Sequence, residues 1–282
     1  MKEFISWWKH VPEYINPVAF NIGPIQVHYY GIMYLLAILT VYLLVLYRLK
    51  TEKIAFKKEV IDNYFLWMLV SLLIGGRIGY VLFYNLSYYL NYPLEIILPF
   101  DINDGFRYIG LYGMSYHGAL IGIITASVIF CCKFKLNFWA LADLLVPAVP
   151  LGYTFGRLGN FINGELYGRI TTMPWSMYFP LDSTHQLRHP SQLYESLFEG
   201  VLLFIILWSL RKRVRIPGSL FSLYLIGYGV IRFILEFFRQ PDQQLGFVVG
   251  YLTMGQILCL IMAMVGLMLL IKQLKFNLDR RL

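Results

Sequence analysis

The sequence predicts an all-α polytopic membrane protein of about seven transmembrane helices, with the N-terminus outside, the C-terminus cytoplasmic and a small extracytoplasmic cap. Three observations carry that reading. Of 282 residues, 58% are hydrophobic and only 14% are charged, too few to clothe a water-exposed surface, so lipid is the solvent. Seven stretches are apolar over the roughly 20 residues that a bilayer core of about 30 Å demands. Lys and Arg gather in alternate connections, as orientation signals do.

The spans run Tyr29–Tyr47, Tyr64–Tyr84, Met114–Cys132, Phe138–Phe155, Leu193–Leu210, Leu220–Phe238 and Gly250–Ile271. Arg48, Lys50, Lys53, Lys57 and Lys58 follow the first, and Lys133 and Lys135 the third. Arg211, Lys212, Arg213 and Arg215 follow the fifth, and Lys272, Lys275, Arg280 and Arg281 the seventh. These hold 15 of the 24 basic residues, all on one side if every span crosses, which sets the orientation. Met1 to Gly23 carries Trp7, Trp8, Pro12 and charges but no uninterrupted apolar stretch, so it reads as an interfacial segment and not as a cleavable signal peptide. On the opposite side, two longer connections, Asn85–Gly113 and Gly168–Pro190, supply the cap. No internal repeat or linker is visible, so residues 1–282 read as one domain.

The net charge of +8 does not point to nucleic acid, because the basic residues sit in short loops after apolar segments. Aromatics make up 17% of the chain, and Tyr and Trp favour the membrane boundary, so many are belt residues, Tyr29 and Tyr30 by default among them. Cys131, Cys132 and Cys259 form neither a disulfide framework nor a metal spacing and read as packing residues.

Ionisable groups at bilayer depth are costly unless they face the bundle interior, water or a partner, so each is a functional candidate. Arg77 interrupts the second span, His117 opens the third and Asp143 lies in the fourth. Glu195 and Glu199 sit in the fifth; with Asp143 they are expected to pair with buried arginines, since an unpaired buried carboxylate protonates. In the sixth, Tyr228, Arg232 and Glu236 are spaced by four and share a face that Arg239 continues. Either Arg232 and Glu236 neutralise each other, or Glu236 orients a guanidinium that binds an anionic head group.

The run Gly156-Arg157-Leu158-Gly159-Asn160-Phe161-Ile162-Asn163-Gly164-Glu165-Leu166-Tyr167-Gly168-Arg169 is too glycine-rich to continue a helix easily. Irregular backbone at membrane depth lines cavities. There Arg157 brings a planar fork that matches phosphate, with Asn160 and Asn163 amides to hold it. A glycine packing turn is the bland alternative. His117 is either a general base or a satisfied polar residue at a helix start. The pairs Gly118/Gly122 and Gly152/Gly156 read as close helix contacts, and Pro190 as a first helical residue. The sequence lacks a phosphate-binding Gly-x-x-x-x-Gly-Lys-Ser/Thr loop, a His-Glu-x-x-His and a Gly-x-Ser-x-Gly elbow, which leaves nucleotide hydrolysis, zinc proteolysis and serine hydrolysis without support.

Six runs together resemble the prolipoprotein diacylglyceryl transferase family. They are His28-Tyr29-Tyr30-Gly31, Gly75-Gly76-Arg77-Ile78-Gly79-Tyr80, His117-Gly118-Ala119-Leu120-Ile121-Gly122, Gly156 through Arg169, His189-Pro190-Ser191-Gln192-Leu193-Tyr194-Glu195, and Glu236-Phe237-Phe238-Arg239-Gln240-Pro241-Asp242. They occur in family order across nearly the whole chain. The resemblance implies transfer of a diacylglyceryl group from phosphatidylglycerol to the thiol of the lipobox cysteine in a prolipoprotein signal peptide, with release of glycerol phosphate. It also implies a place in the bacterial cytoplasmic (inner) membrane among membrane lipids, with the reaction toward the outer leaflet. The family's functional positions fall on Tyr30, His117, Arg157, Asn160, Glu165, Gly168, Tyr228, Arg232 and Glu236. Tyr30, His117, Arg157, Arg232 and Glu236 are expected in the chemistry. Arg157, Asn160, Glu165, Gly168, Tyr228, Arg232 and Arg239 are expected to bind phosphatidylglycerol. No metal or other cofactor is expected. The proton acceptor is left open between His117 and Tyr30, with Arg157 lowering the thiol pKa as the other route. The connection from Arg169 to His189 is shorter than in some members. A transporter for an anionic lipid or solute is the rival reading, because buried arginines and broken helices also mark transporters.

Overall fold

Helices follow the apolar stretches of the sequence in the computed structural model. The structure describes residues 2–23, 25–52, 54–97, 100–101, 107–108, 113–240, 247–250 and 252–279. Lys53, Pro241, Asp242, Arg280 and Arg281, and parts of the Asn85–Gly113 connection, lie outside the described residues. In chain order the helices are α1 (Lys2–Tyr14), α2 (Tyr29–Thr51), α3 (Lys58–Tyr84), α4 (Leu86–Asn91), α5 (Tyr116–Lys133), α6 (Phe138–Leu145), α7 (Val149–Ile162), α8 (Ser191–Glu195), α9 (Leu203–Leu210), α10 (Ser219–Leu235) and α11 (Met254–Asp279). The chain is an all-α polytopic membrane protein, and among the described residues its strands form three two-stranded antiparallel pairs.

Among the described residues five helical stretches are long and apolar enough to cross a membrane: α2, α3, α5, Ser191–Leu210 and α11 up to Leu278. A sixth is possible if α6 and α7, bent by 52° to one another, count as one span. The helix α10 is apolar but has 17 residues, about 25 Å at the usual rise. The expected count of seven therefore requires α10 to cross as well.

The fold divides into two compact units, Met1–Glu52 with Trp139–Leu282, and Lys53–Phe138. In the first, α7 packs on α2 through glycines: a Cβ on Gly152 would stand 3.0 Å from the Ala37 carbonyl, and one on Gly159 3.1 Å from the Tyr30 ring. Gly156, the expected partner of Gly152 in a close contact, instead faces open space. The expectation that the glycine run would break the helix holds only for its second half: α7 continues through Gly156, Arg157, Gly159 and Asn160 and ends at Ile162, after which Gly164 takes a positive φ of 69°. A helical glycine costs only about 1 kcal/mol, which close packing on α2 repays. Another break falls earlier, at 146–148, where Pro147 precedes α7 and Pro150 occupies its first turn.

That break is held by side chains from elsewhere in the unit. Arg48 Nη1 donates to the carbonyls of Asp143 (2.7 Å) and Leu144 (2.6 Å), satisfying acceptors that the end of α6 leaves open. The Asp143 carboxylate accepts from the backbone N–H groups of Gly218 (2.7 Å) and Phe221 (2.8 Å). Asp143 thus caps the start of α10 and is not spent on a buried arginine, contrary to expectation; a capping role is invisible to spacing along its own helix. The helices α10 and α11 approach through Gly229 and Gly266, whose added Cβ atoms would sit 2.8 Å from the Cys259 carbonyl and 2.9 Å from the Ser222 carbonyl.

The segment Ser191–Leu210 is helical throughout but contains a π-helical stretch, Ser196–Leu202, between α8 and α9. Such widened turns collect at functional sites. Ahead of the helices, α1 packs on the 163–190 connection, with Trp8, Val11 and Ile15 against a core of Phe161, Met177 and Phe179. The connection is pinned internally by Arg188, whose Nε and Nη2 donate to Asp182 at 2.6 and 2.9 Å.

In the second unit, α3 and α5 meet glycine to glycine. A Cβ on Gly75 would stand 2.5 Å from the Gly118 carbonyl and one on Gly122 2.5 Å from that of Ser71, so the Gly118/Gly122 contact exists as expected. Arg77 is spent on backbone: it donates to the carbonyls of Glu95 (2.6 Å), Ile96 (2.9 Å) and Gly113 (3.4 Å) and lies over the Tyr89 ring. Cys131 is buried here, but Cys132 is exposed and so is not the packing residue it was expected to be.

Candidate active site

Glu195, at the end of α8 and 1% exposed, gathers three guanidinium groups. Its Oε1 stands 2.6 Å from Arg232 Nη1 and 3.2 Å from Arg239 Nη1, and its Oε2 stands 2.9 Å from Arg157 Nε. The arginines arrive from α7, from α10 and from the stretch after α10, so the cluster is a product of tertiary packing. An ion pair at this depth persists only when charge and hydrogen bonds are both matched.

Arg232 is fully engaged at its outer nitrogens. Besides Glu195, its Nη1 meets Glu199 Oε1 at 3.4 Å, and its Nη2 meets Glu236 Oε2 at 2.9 Å. The expected Arg232–Glu236 pair is present, but Glu195 and Glu199 occupy the other side of the fork. Spacing along α10 reveals only the partner on the same helix, so the sequence reading left Arg232 more open than it is. Thr253 Oγ1 donates to Glu236 Oε1 at 3.2 Å, and Gly255 permits α11 to begin this close.

Arg157 is held differently. Its Nε donates to the Tyr153 hydroxyl at 2.5 Å and its Nη1 to Asn160 Oδ1 at 3.2 Å, while its guanidinium lies over the Tyr153 ring. Its Nη2 has no hydrogen-bond partner among the described residues, and 17% of the side chain is exposed. Asn160 in turn donates to Glu165 Oε1 at 2.8 Å. The Tyr30 hydroxyl hydrogen-bonds Tyr34 (3.0 Å) and its ring lies against Gly159, beside Asn160, so Tyr30 joins this group and is more than a belt aromatic. Tyr228, one turn before Arg232, presents its ring edge-on to Tyr153 at 5.9 Å.

Arg239 is positioned by backbone. Gly168 pairs with Arg239 in an isolated bridge; its N–H donates to the His189 carbonyl at 2.9 Å, and Arg169 N–H donates to the Phe238 carbonyl at 2.9 Å. A Cβ on Gly168 would collide with the Phe238 carbonyl and stand 2.8 Å from His189 Cβ, so only glycine fits. Among the described residues the Arg239 guanidinium meets Glu195 alone.

The first unit therefore brings together Tyr30, Arg157, Asn160, Glu165, Tyr228, Arg232, Glu236 and Arg239, with Gly168 as a backbone clip. His117 belongs to the second unit, at the exposed first turn of α5, where Ser115 Oγ accepts from Gly118 N–H at 3.2 Å. Asn163 lies at the end of α7 and makes no contact with Arg157. Sequence reasoning missed Tyr153, although it lies one turn before Arg157, and it had no signal for the π stretch that carries Glu199. Among the described residues no group of three or more His, Cys, Asp or Glu is placed to hold a metal ion.

Partly uncommitted guanidinium forks on buried helices suit an anionic head group. The model of the prolipoprotein diacylglyceryl transferase family matches residues 17–272, a range that contains this whole cluster and His117. The chain belongs to that family. It is 50% identical over 282 residues to a phosphatidylglycerol–prolipoprotein diacylglyceryl transferase of Chlorobaculum tepidum, covering 99% of this chain and 98% of that protein. A Wolinella succinogenes protein of the same name is 45% identical over 264 residues (93% and 94%) and one of Campylobacter hominis 42% over 273 (96% and 95%). As a diacylglyceryl transferase family member the chain is a transferase, and its apolar helices make it a multi-pass membrane protein.

Proposed function

We propose that this chain transfers the diacylglyceryl group of phosphatidylglycerol to the thiol of the lipobox cysteine in a prolipoprotein, forming a thioether and releasing glycerol phosphate. The observation that carries the reading is the gathering of Arg157, Arg232 and Arg239 on Glu195, with edges of Arg157 and Arg239 uncommitted among the described residues. Those two edges take the phosphodiester, and Arg232, locked by three carboxylates, braces the cluster. The Arg157–Asn160–Glu165 series sets the plane of the Arg157 fork.

The sulfur attacks the glyceryl methylene that carries the phosphate. A C–S bond forms as the C–O bond breaks, and the electron pair leaves on the phosphate oxygen, where the guanidinium groups stabilise the growing charge. The thiol reacts as thiolate, so its proton must leave first. His117 or Tyr30 accepts it, or Arg157 lowers the thiol pKa enough that solvent does. The chain lies in the bacterial inner membrane with its N-terminus outside, its C-terminus in the cytoplasm, α10 as a seventh crossing and its site toward the outer leaflet. The basic residues in alternate connections support that orientation. Membrane lipids surround it, and the reaction calls on no cofactor.

Purified protein incubated with phosphatidylglycerol and a lipobox peptide tests the reading. A peptide that gains the mass of a diacylglyceryl group supports it; an unchanged peptide with folded protein overturns it. Movement of the lipid without change to the peptide favours the transporter.

A further inference from the structure

Glu199 is fully buried, 0% exposed, in the π stretch. Among the described residues the one guanidinium in ion-pair contact with it is that of Arg232, whose Nη1 stands at 3.4 Å and is already held by Glu195 at 2.6 Å. Its other oxygen, Oε2, accepts the Tyr153 hydroxyl, which itself accepts Arg157 Nε at 2.5 Å. Glu195, by contrast, touches three guanidinium groups, and Glu236 has Arg232 Nη2 to itself at 2.9 Å. Of the three carboxylates facing the arginines, Glu199 is the least compensated, and a buried carboxylate without a matched cation neutralises itself by taking a proton.

Charge balance gives this a purpose. With every group ionised, three guanidinium charges are matched by the three carboxylates that touch them, Glu165 standing one side chain further off behind Asn160, and an incoming phosphodiester finds no unmatched charge among the touching groups. With Glu199 neutral, the set keeps one positive charge, the complement of a phosphodiester monoanion. The titratable and charged groups around Glu199 are Tyr153 and Arg157 from α7, Glu195 from α8, Arg232 from α10 and Cys259 from α11, of which Tyr153 and Arg232 touch it.

We propose that Glu199 carries a proton in the head-group-bound cluster, held on Oε1 while Oε2 accepts the Tyr153 hydroxyl, so that the arginines present one unmatched charge to a phosphodiester. Glu199 and Tyr153 are then positioning residues that set the charge and orientation of the arginines without touching the lipid. The inference rests on the reading that an anionic head group binds this cluster.

The test is calorimetric binding of a short-chain phosphatidylglycerol to the full chain in detergent, from neutral to alkaline pH. Affinity of the unmodified protein should fall about tenfold per pH unit once Glu199 loses its proton, and Glu199→Gln should abolish that dependence. Binding that ignores pH while the infrared spectrum of the complex lacks a carboxylic-acid carbonyl band, or a slope that survives in Glu199→Gln, overturns the inference. Absence of binding at every pH overturns the reading beneath it as well. Should Glu199→Gln fail to fold, infrared spectra of the unmodified complex decide. A carboxylic-acid carbonyl band that shifts in Tyr153→Phe is expected, and its absence overturns the proposal.

Discussion

Oε1 of Glu195 lies 2.6 Å from Nη1 of Arg232, and the same oxygen reaches Arg239 at 3.2 Å. One carboxylate thus ties α8 to α10 and to the stretch beyond it. Replacing it by an amide of the same shape leaves three guanidinium groups one neutral acceptor oxygen and turns an N–H2 donor toward their own donors. Breaking a buried pair in this way costs about 3–5 kcal/mol. Glu195→Gln should therefore unfold at clearly lower temperature in detergent and lose about a hundredfold or more in transfer rate. Stability and rate equal to the unmodified protein would remove Glu195 from the centre of the site.

Gly168 and Gly156 belong to one glycine-rich run but meet opposite surroundings. A methyl at Gly168 enters the space of Phe238 and His189, whereas one at Gly156 has nothing within 4 Å. Overpacking costs about 1–3 kcal/mol, and alanine at a half-buried helix position with room for its methyl gains up to about 1 kcal/mol over glycine. Gly168→Ala should lower thermal stability and activity together, because the strand contact that sets Arg239 must open. Gly156→Ala should keep or raise stability. The reverse ranking in thermal unfolding would contradict the packing described.

Much of the architecture is legible in the sequence: each of the seven apolar stretches contains helix, the fourth broken at 146–148 and the seventh helical only from Met254, and the interior charges on α7 and α10 do converge. What escaped has a common physical cause. The Pro147 break, the Asp143 cap on α10 and the seat of Arg77 on loop carbonyls depend on groups distant in sequence, which spacing cannot reveal. The crowding around Arg232 escaped for the same reason, since two of its three carboxylates come from another helix. Helical glycines misled in the other direction: at Gly152 and Gly159 they mark where α2 presses on α7, so tertiary contact overrides their weak propensity.

The 163–190 connection should respond to acid. Burial opposes a charge on Asp182, but the Arg188 fork and Thr184 outweigh it and hold the carboxyl below the usual carboxylate range. A depressed carboxyl contributes stability above its unfolded pKa, about 3.9, and loses it as pH falls below that. Limited proteolysis of this connection should therefore be flat at neutral pH and accelerate below about pH 4. Asp182→Asn should be cut readily at neutral pH. Acceleration already near pH 6, shared by Asp182→Asn, would assign the effect to another group.

The two candidates for the thiol proton can be separated by kinetics. A general base typically contributes about a hundredfold or more, whereas a tyrosine hydroxyl that only hydrogen-bonds Tyr34 contributes about 1 kcal/mol, near fivefold. His117→Gln should lower kcat by the larger factor and Tyr30→Phe by the smaller. A folded His117→Gln protein with near-normal turnover across pH would pass the role to another group.

The central claim is that an arginine fork inside the bundle holds the phosphate of a lipid, and Arg157→Lys tests it most directly. Lysine keeps the charge but not the planar pair of donors, and loss of a charge-assisted hydrogen bond of about 1.5–3 kcal/mol corresponds to about a 10- to 150-fold fall. The kcat/KM for phosphatidylglycerol in the peptide assay should drop within that range while the protein stays folded. An Arg157→Lys enzyme that matches the unmodified rate would contradict the account.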